Sequence, residues 1–270
     1  MAKSTPVKWT RDHYLIALNL YCKLPFGKLH KSNPLIVDAA KRMGRTPSSL
    51  AMKLCNFAAL DPVQRARGIR GLPGATHQDQ HWWDEFHKDV NVLGPESEQK
   101  VHDLYTTDEN REVDFLDANR VRLEKSPRWL PPDGPTERIA SVVIRRGQQF
   151  FRQSILNAYG VRCCISGINI PQLLIASHIA PWSAFPNERL NPRNGLCLSA
   201  IHDAAFDAGL ITLDEQLRVV LSKQIKGFFP QVALEQAFAN YEGKTIRVPD
   251  KLAEPDSALL SHHRESIFAG

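Results

Sequence analysis

Apolar residues recur at helical spacing from Trp9 to Leu24, putting Tyr14, Ala17, Leu18 and Tyr21 on one face. Thr10 is a suitable cap for that helix. Leu35 to Met43 repeats the pattern and stops at Gly44. Thr46 then caps a third helix that opens with Pro47, a residue suited to the first helical position, and turns Leu50, Leu54 and Phe57 inward. Two helices joined through Gly44-Arg45-Thr46 have the spacing of a helix-turn-helix. Its second helix would present Ser48, Ser49, Met52, Lys53 and Asn56 outward, with Arg45 at its start. Asparagine can read an adenine edge and lysine or arginine can hold phosphate, so Arg45, Lys53 and Asn56 are candidate DNA contacts. A small three-helix bundle used for protein contacts fits the same pattern.

Gln80 to Glu124 is polar and acidic, with helical periodicity over Trp82–Val90 and Glu96–Tyr105. Trp82 and Trp83 suit a core or interdomain anchor better than base stacking, because their surroundings are acidic. Between Ser126 and Pro135 four prolines in ten residues cannot continue a helix and mark a boundary. Beyond it, Val142–Ile144 reads as a strand and Gly147–Tyr159 as a helix burying Phe150, Phe151, Ile155 and Leu156. Gln172–Ile179 is a half-buried strand, and Ser199 to Gly209 bracket a short helix with a cap at each end. Leu210–Leu213 and Leu217–Leu221 form a hairpin across Asp214-Glu215-Gln216. A helix over Phe228–Asn240, a strand over Thr245–Val248 and a closing helix over Asp256–Phe268 complete the chain. His262, His263 and Arg264 either cover a helix face or approach a site.

Three polar side chains sit where these elements begin or end: His178 closing the strand, Asn194 in the following loop and His202 in the first turn of the short helix. Around them stand H-I-x-P-W, N-P-x-N-G-L and F-D-x-G-L. This stretch, and more generally residues 136–268, resembles the prokaryotic HNH, or ββα-metal, endonucleases. The resemblance implies an α+β fold with a C-terminal ββα-metal HNH nuclease domain preceded by a mostly helical, helix-turn-helix-like module. It implies a phosphodiester hydrolase that leaves a 5′-phosphate and a 3′-hydroxyl. His178 would be the general base, Asn194 would pin the loop and orient it, and His202 would bind metal. An imidazole with a pKa near ~6.5 suits that base role, and a divalent ion suits the phosphate and leaving oxygen. The cofactor expected is Mg²⁺, with Mn²⁺ or Ni²⁺ as alternatives. The pattern R-x-G-Q-x-x-F-R also precedes the motif in similar proteins and makes Arg145, Arg146 and Arg152 candidates for gripping phosphate, against the alternative of solvated arginines on a helix face.

One position departs from the common pattern. Many members carry a metal-binding aspartate before the base histidine, and here that position is Ser177. Asp203 and Asp207 are the nearest carboxylates in sequence. Asp207 lies five residues after His202, roughly 140° round a helix from it, which favours a structural role at the helix end, with metal ligation beside His202 as the alternative.

Composition and charge refine this picture. With 43% hydrophobic residues in 270, the chain can fill ordinary cores. Its five cysteines include no C-x-x-C pair, so reduced thiols are expected and structural zinc is not. No apolar run reaches about 18 residues, and a soluble, cytosolic protein without a membrane partner is expected. Residues 1–75 hold 13 Lys and Arg against 3 Asp and Glu, whereas 76–135 hold 7 against 14. That asymmetry suggests a basic DNA-binding module over 1–75, an acidic connector over 76–135 and the nuclease domain over 136–270. DNA is the expected partner, restriction of foreign or modified DNA the role implied by the family, and a homodimer on a symmetric site would supply two active sites. The rival from another class is a DNA-binding regulator or scaffold whose HNH fold is inactive. A nuclease for RNA or single strands is a further alternative.

Overall fold

The computed structural model describes residues 8–66, 68, 74–106, 111–115, 121–125, 135–181, 184–249 and 253–270. The chain divides into two compact units, Met1–Gln153 and Ser154–Gly270. The proline-rich boundary over 126–134 lies outside the described residues.

In the first unit, α1 (Arg11–Lys23) starts at Thr10 with a reciprocal capping box: the Thr10 hydroxyl accepts from His13 N, and His13 Nδ1 accepts from Thr10 N. Asn33 caps α2 (Pro34–Arg42), and Thr46 caps α3 (Pro47–Leu60). Gly44 takes φ +66 between them, the left-handed backbone that glycine adopts without penalty. The inward positions expected on α3, Leu50, Leu54 and Phe57, are fully buried. A short α4 (Pro62–Ala66) is followed by α5 (His77–Lys88) and α6 (Val90–Tyr105), then by an antiparallel pair, β1 (Arg111–Asp114) and β2 (Arg122–Lys125). The last helix, α7 (Pro135–Ala158), continues through the boundary between the units.

The segment expected to be an acidic connector is built into this unit instead. Both α5 and α6 pack on α1, and α5 packs on α3 as well. Trp83 and Phe86 are buried in the core, while Trp82 stacks on Tyr14. Part of the charge asymmetry is pairing across the chain. Buried Asp79 receives Lys53, and buried Glu98 receives Lys23. At the surface Arg11 pairs with Glu96 and Lys100 with Asp12. A basic block and an acidic block are thus complementary parts of one fold.

Two of the expected DNA contacts are corrected by the same packing. Lys53 is 6% exposed and Asn56 5%. Lys53 lies over the rings of Trp9 and Tyr14 and pairs with Asp79, and Asn56 Nδ2 donates to Asp79 Oδ2 at 3.0 Å. Both point into the unit because the Asp79 carboxylate arrives there from α5. The strand expected over Val142–Ile144 is also helical: its three β-branched residues sit in a stretch where no turn residue releases the chain from α7.

The second unit is organised around β3 (Leu174–His178), β4 (Gly195–Ser199) and α8 (Ala200–Asp207), with the strands antiparallel from Leu174↔Ser199 to His178↔Gly195. The hairpin β5 (Ile211–Leu213) and β6 (Val219–Leu221) follows, then α9 (Lys223–Lys226), α10 (Val232–Ala237) and α11 (Ser257–Ser266). The helix expected from Phe228 begins only at Val232, because Pro230 lacks the N–H that a helix interior requires. The strand expected over Thr245–Val248 is a single bridge from Thr245 to Arg218. His263 belongs to the core: it stacks on Phe206, and its nitrogens meet Thr212 Oγ1 at 2.9 Å and Phe206 O at 3.1 Å. Burial drives its pKa down to about 4, with the Phe206 carbonyl opposing.

Gly209 ends α8 with φ +67, and a Cβ there would lie 2.1 Å from the backbone oxygen of Ile267. Gly209→Ala should therefore cost at least roughly 2 kcal/mol, through left-handed strain and displacement of the C-terminal segment. A thermal unfolding midpoint unchanged from wild type would refute this.

Candidate active site

The hairpin delivers His178 to the end of β3, opposite Gly195, half-buried. Its Nε2 lies 2.9 Å from the carbonyl oxygen of Arg189. A carbonyl can only accept, so Nε2 carries the hydrogen and Nδ1 carries the ring's lone pair. Burial lowers the pKa of His178, and the Arg189 carbonyl opposes that shift. The ring is accordingly biased toward its neutral form, which can take a proton.

Asn194 is completely buried and closes the loop between the strands. Its Oδ1 accepts from Ala180 N at 2.8 Å, while Nδ2 donates to the carbonyls of Glu188 at 3.1 Å and Ala180 at 3.4 Å. Its own carbonyl accepts from Ile179 N at 3.0 Å. One side chain thereby ties the residues just after His178 to the segment that supplies the Arg189 carbonyl.

His202 departs from the metal-ligand expectation. It is 2% exposed, and both ring nitrogens are engaged within the unit. Nε2 donates to Ala237 O at 2.8 Å, and Nδ1 accepts from the Ser199 hydroxyl at 2.8 Å with Cys163 Sγ at 3.6 Å. Phe238 and Tyr241 meet the ring edge-on. As placed here, His202 is a post joining the start of α8 to the 237–241 segment, and ligation of a metal would cost one of these bonds. Ser199, expected as a side-chain cap, spends its hydroxyl on His202 and makes no capping bond. Cys163 is buried beside it. Burial raises that thiol, and the Ser166 N–H donated to its Sγ opposes the shift.

The carboxylates of α8 lie elsewhere on the helix. Asp203 and Asp207 are four residues apart and so share a face, with Asp203 half-exposed and Asp207 exposed. Burial raises the pKa of Asp207, and the neighbouring charge of Asp203 raises it further. Ser177, beside the base candidate, is buried, and its hydroxyl finds no hydrogen-bond partner among the described residues. Among those residues no three His, Cys, Asp or Glu side chains form a metal cage. Two carboxylates nevertheless suit an ion that completes its shell with water and phosphate, as Mg²⁺ commonly does. Asp203, a nearest carboxylate in sequence, is the i−4 partner of Asp207.

The remaining expected DNA contacts fall in the first unit. Arg45 is half-buried, 4.0 Å over the Trp9 ring. Arg146 is 7% exposed and Arg152 half-buried, both on α7. The side chain of Arg145 lies outside the described residues. No described helix is long and apolar enough to cross a membrane.

Residues 163–214 match the family model HNH_2, described as HNH endonuclease. The match covers β3, β4 and α8 together with the loop between the strands. It points to nuclease activity in general with DNA as substrate, and HNH nucleases generally use divalent metal ions. No curated protein matches the chain.

Proposed function

We propose that this protein is a metal-dependent DNA endonuclease in which His178 is the general base. The observation carrying the reading is the Arg189 carbonyl on Nε2, which leaves the lone pair of His178 on Nδ1. In this reading Nδ1 takes a proton from water, the hydroxide attacks phosphorus, and the 3′-oxygen departs. Asn194 keeps the base in register by pinning the loop. Asp203 and Asp207 would hold the divalent ion, and His202 would keep α8 in place. When bound, the ion supplies positive charge to the phosphate and the leaving oxygen.

The first unit would act as the DNA-binding module. Its α2–turn–α3 spacing supports a helix-turn-helix-like role, with Lys53 and Asn56 engaged by Asp79 rather than offered to DNA. A part in restriction of foreign or modified DNA follows from the family likeness. Ser177, where many relatives have a metal-binding aspartate, supports the second reading of an inactive DNA-binding scaffold.

Plasmid cleavage separates the two. Nicking or linearisation should appear with Mg²⁺, Mn²⁺ or Ni²⁺ and vanish with EDTA, and parallel methylated and unmethylated substrates test the restriction role. Asp203→Asn combined with Asp207→Asn should lower metal-dependent cleavage about 10–100-fold. His202→Gln should retain metal affinity while losing thermal stability. DNA binding without cleavage by any of these metals would favour the scaffold. A His202→Gln protein of normal stability that no longer binds metal by calorimetry would restore the ligand role to His202.

A further inference from the structure

We infer that the side-chain pair Glu188–Asn191 is a positioning device for His178, fixing through the Arg189 carbonyl which ring nitrogen carries the lone pair. The inference rests on the reading of His178 as the base and deepens it. A histidine oriented by a backbone carbonyl is held only as firmly as the peptide that carries it. Here that peptide lies between two 3-10 turns, Pro186–Glu188 and Pro192–Asn194, in a loop without longer helices or strands. Side chains of the same loop add to whatever else holds it.

Asn194 reaches the Glu188 carbonyl, one peptide short of the group that matters. A further restraint on the residues flanking that peptide comes from Asn191. Its Nδ2 donates to Glu188 Oε2 at 2.6 Å, a short bond to a carboxylate, and such charge-assisted bonds are stronger than neutral ones. Its Oδ1 accepts from Arg193 N at 3.0 Å and caps the next 3-10 turn, Pro192–Asn194. Its backbone N–H donates to Glu188 O at 3.3 Å, and its carbonyl accepts from Asn194 N at 2.9 Å. Residues 188, 191 and 194 thus form a closed ring of hydrogen bonds flanking Arg189 in sequence, and Leu190 beside it is buried. Beyond the ring, Arg193 is clamped to Asp256 at 3.1 Å. Neither Glu188 nor Asn191 needs to touch the substrate.

The test uses the full chain and two readouts. Single-turnover cleavage of plasmid DNA with Mg²⁺ or Mn²⁺ should fall about tenfold in Glu188→Ala and Asn191→Ala, with DNA affinity unchanged. Asn191→Asp should be worse, because it sets two carboxylates against each other. Glu188→Gln retains an acceptor oxygen for Asn191 and should stay within about twofold of wild type. Ring ¹⁵N resonances of His178 should report a single Nε2–H tautomer in wild type and in Glu188→Gln, and a mixture in the alanine variants. Should Asn191→Ala fail to fold, the Glu188→Ala and Glu188→Gln comparison decides. A single Nε2–H tautomer and wild-type rate in Glu188→Ala would overturn the inference. If the wild type cleaves nothing, the nuclease reading fails, and the tautomer comparison alone still decides the brace.

Discussion

His178→Ala is expected to lower DNA cleavage by about 10²–10⁴-fold while leaving DNA binding nearly intact. That range is what a positioned general base contributes. The residue is half-buried at a strand end, and its Nε2 is committed to Arg189 O, so no other group on that ring duplicates the role of Nδ1. The pH dependence follows from the same environment. Catalysis needs the neutral imidazole, and burial, outweighing the Arg189 carbonyl, places its pKa below the ordinary histidine value. Activity should persist through mildly acidic pH and fall only as pH drops through that lowered pKa. Single-turnover rates across the acidic range, for wild type and variant with the same metal, check both points. A fully active variant, or an acidic limb lying above the usual histidine range, would remove His178 from the base role.

Asp79→Ala should destabilise the protein by about 3–5 kcal/mol, the usual cost of leaving one partner of a buried ion pair without the other. Asp79 is fully buried and serves several donors at once. Tyr14 OH donates to Oδ1 at 3.1 Å, Asn56 Nδ2 and Thr76 N each donate to Oδ2 at 3.0 Å, and Lys53 adds its charge. Burial alone would raise this carboxyl, but the Lys53 and Thr76 hydrogen bonds outweigh it and hold the pKa below the ordinary value. Removing the carboxylate strands a 6%-exposed ammonium among Trp9 and Tyr14 and leaves three other donors unpaired. The folded-state pKa is depressed, so this contribution is complete above the unfolded aspartate value and is lost as pH falls through the folded one. Urea unfolding at neutral pH measures the loss. Stability within 1 kcal/mol of wild type, about the size of a surface ion pair, would show that water reaches the pair and that it contributes as a surface contact does.

The helix ends that were legible have local causes. Thr10, Asn33, Thr46 and Asp256 cap the helices that follow them, and Gly44 and Gly209 supply left-handed stops. The order strand, loop, strand, helix around His178, Asn194 and the start of α8 was legible for the same reason: each polar residue stands beside a turn or cap signal. The hairpin across Asp214-Glu215-Gln216 was equally local. Where a reading depended on a distant partner, it went astray. The outward face assigned to α3 ignored Asp79, which arrives 26 positions after Lys53. The acidic stretch looked like a connector because its counter-charges, Lys23 and Lys53, lie far upstream.

The sequence by itself therefore determined where many of the elements lie, how several are capped and which segment matches the HNH endonuclease model, since caps, turns and short-range periodicity act within a few residues. Only the tertiary structure decided which way the polar side chains of those elements face. Lys53 turns inward to Asp79, and His202 turns inward to Ser199 and Ala237 while Asp203 and Asp207 share another face of α8. A buried polar group is tolerated only where hydrogen-bonding partners meet it, and those partners come from parts of the chain that local spacing does not bring together.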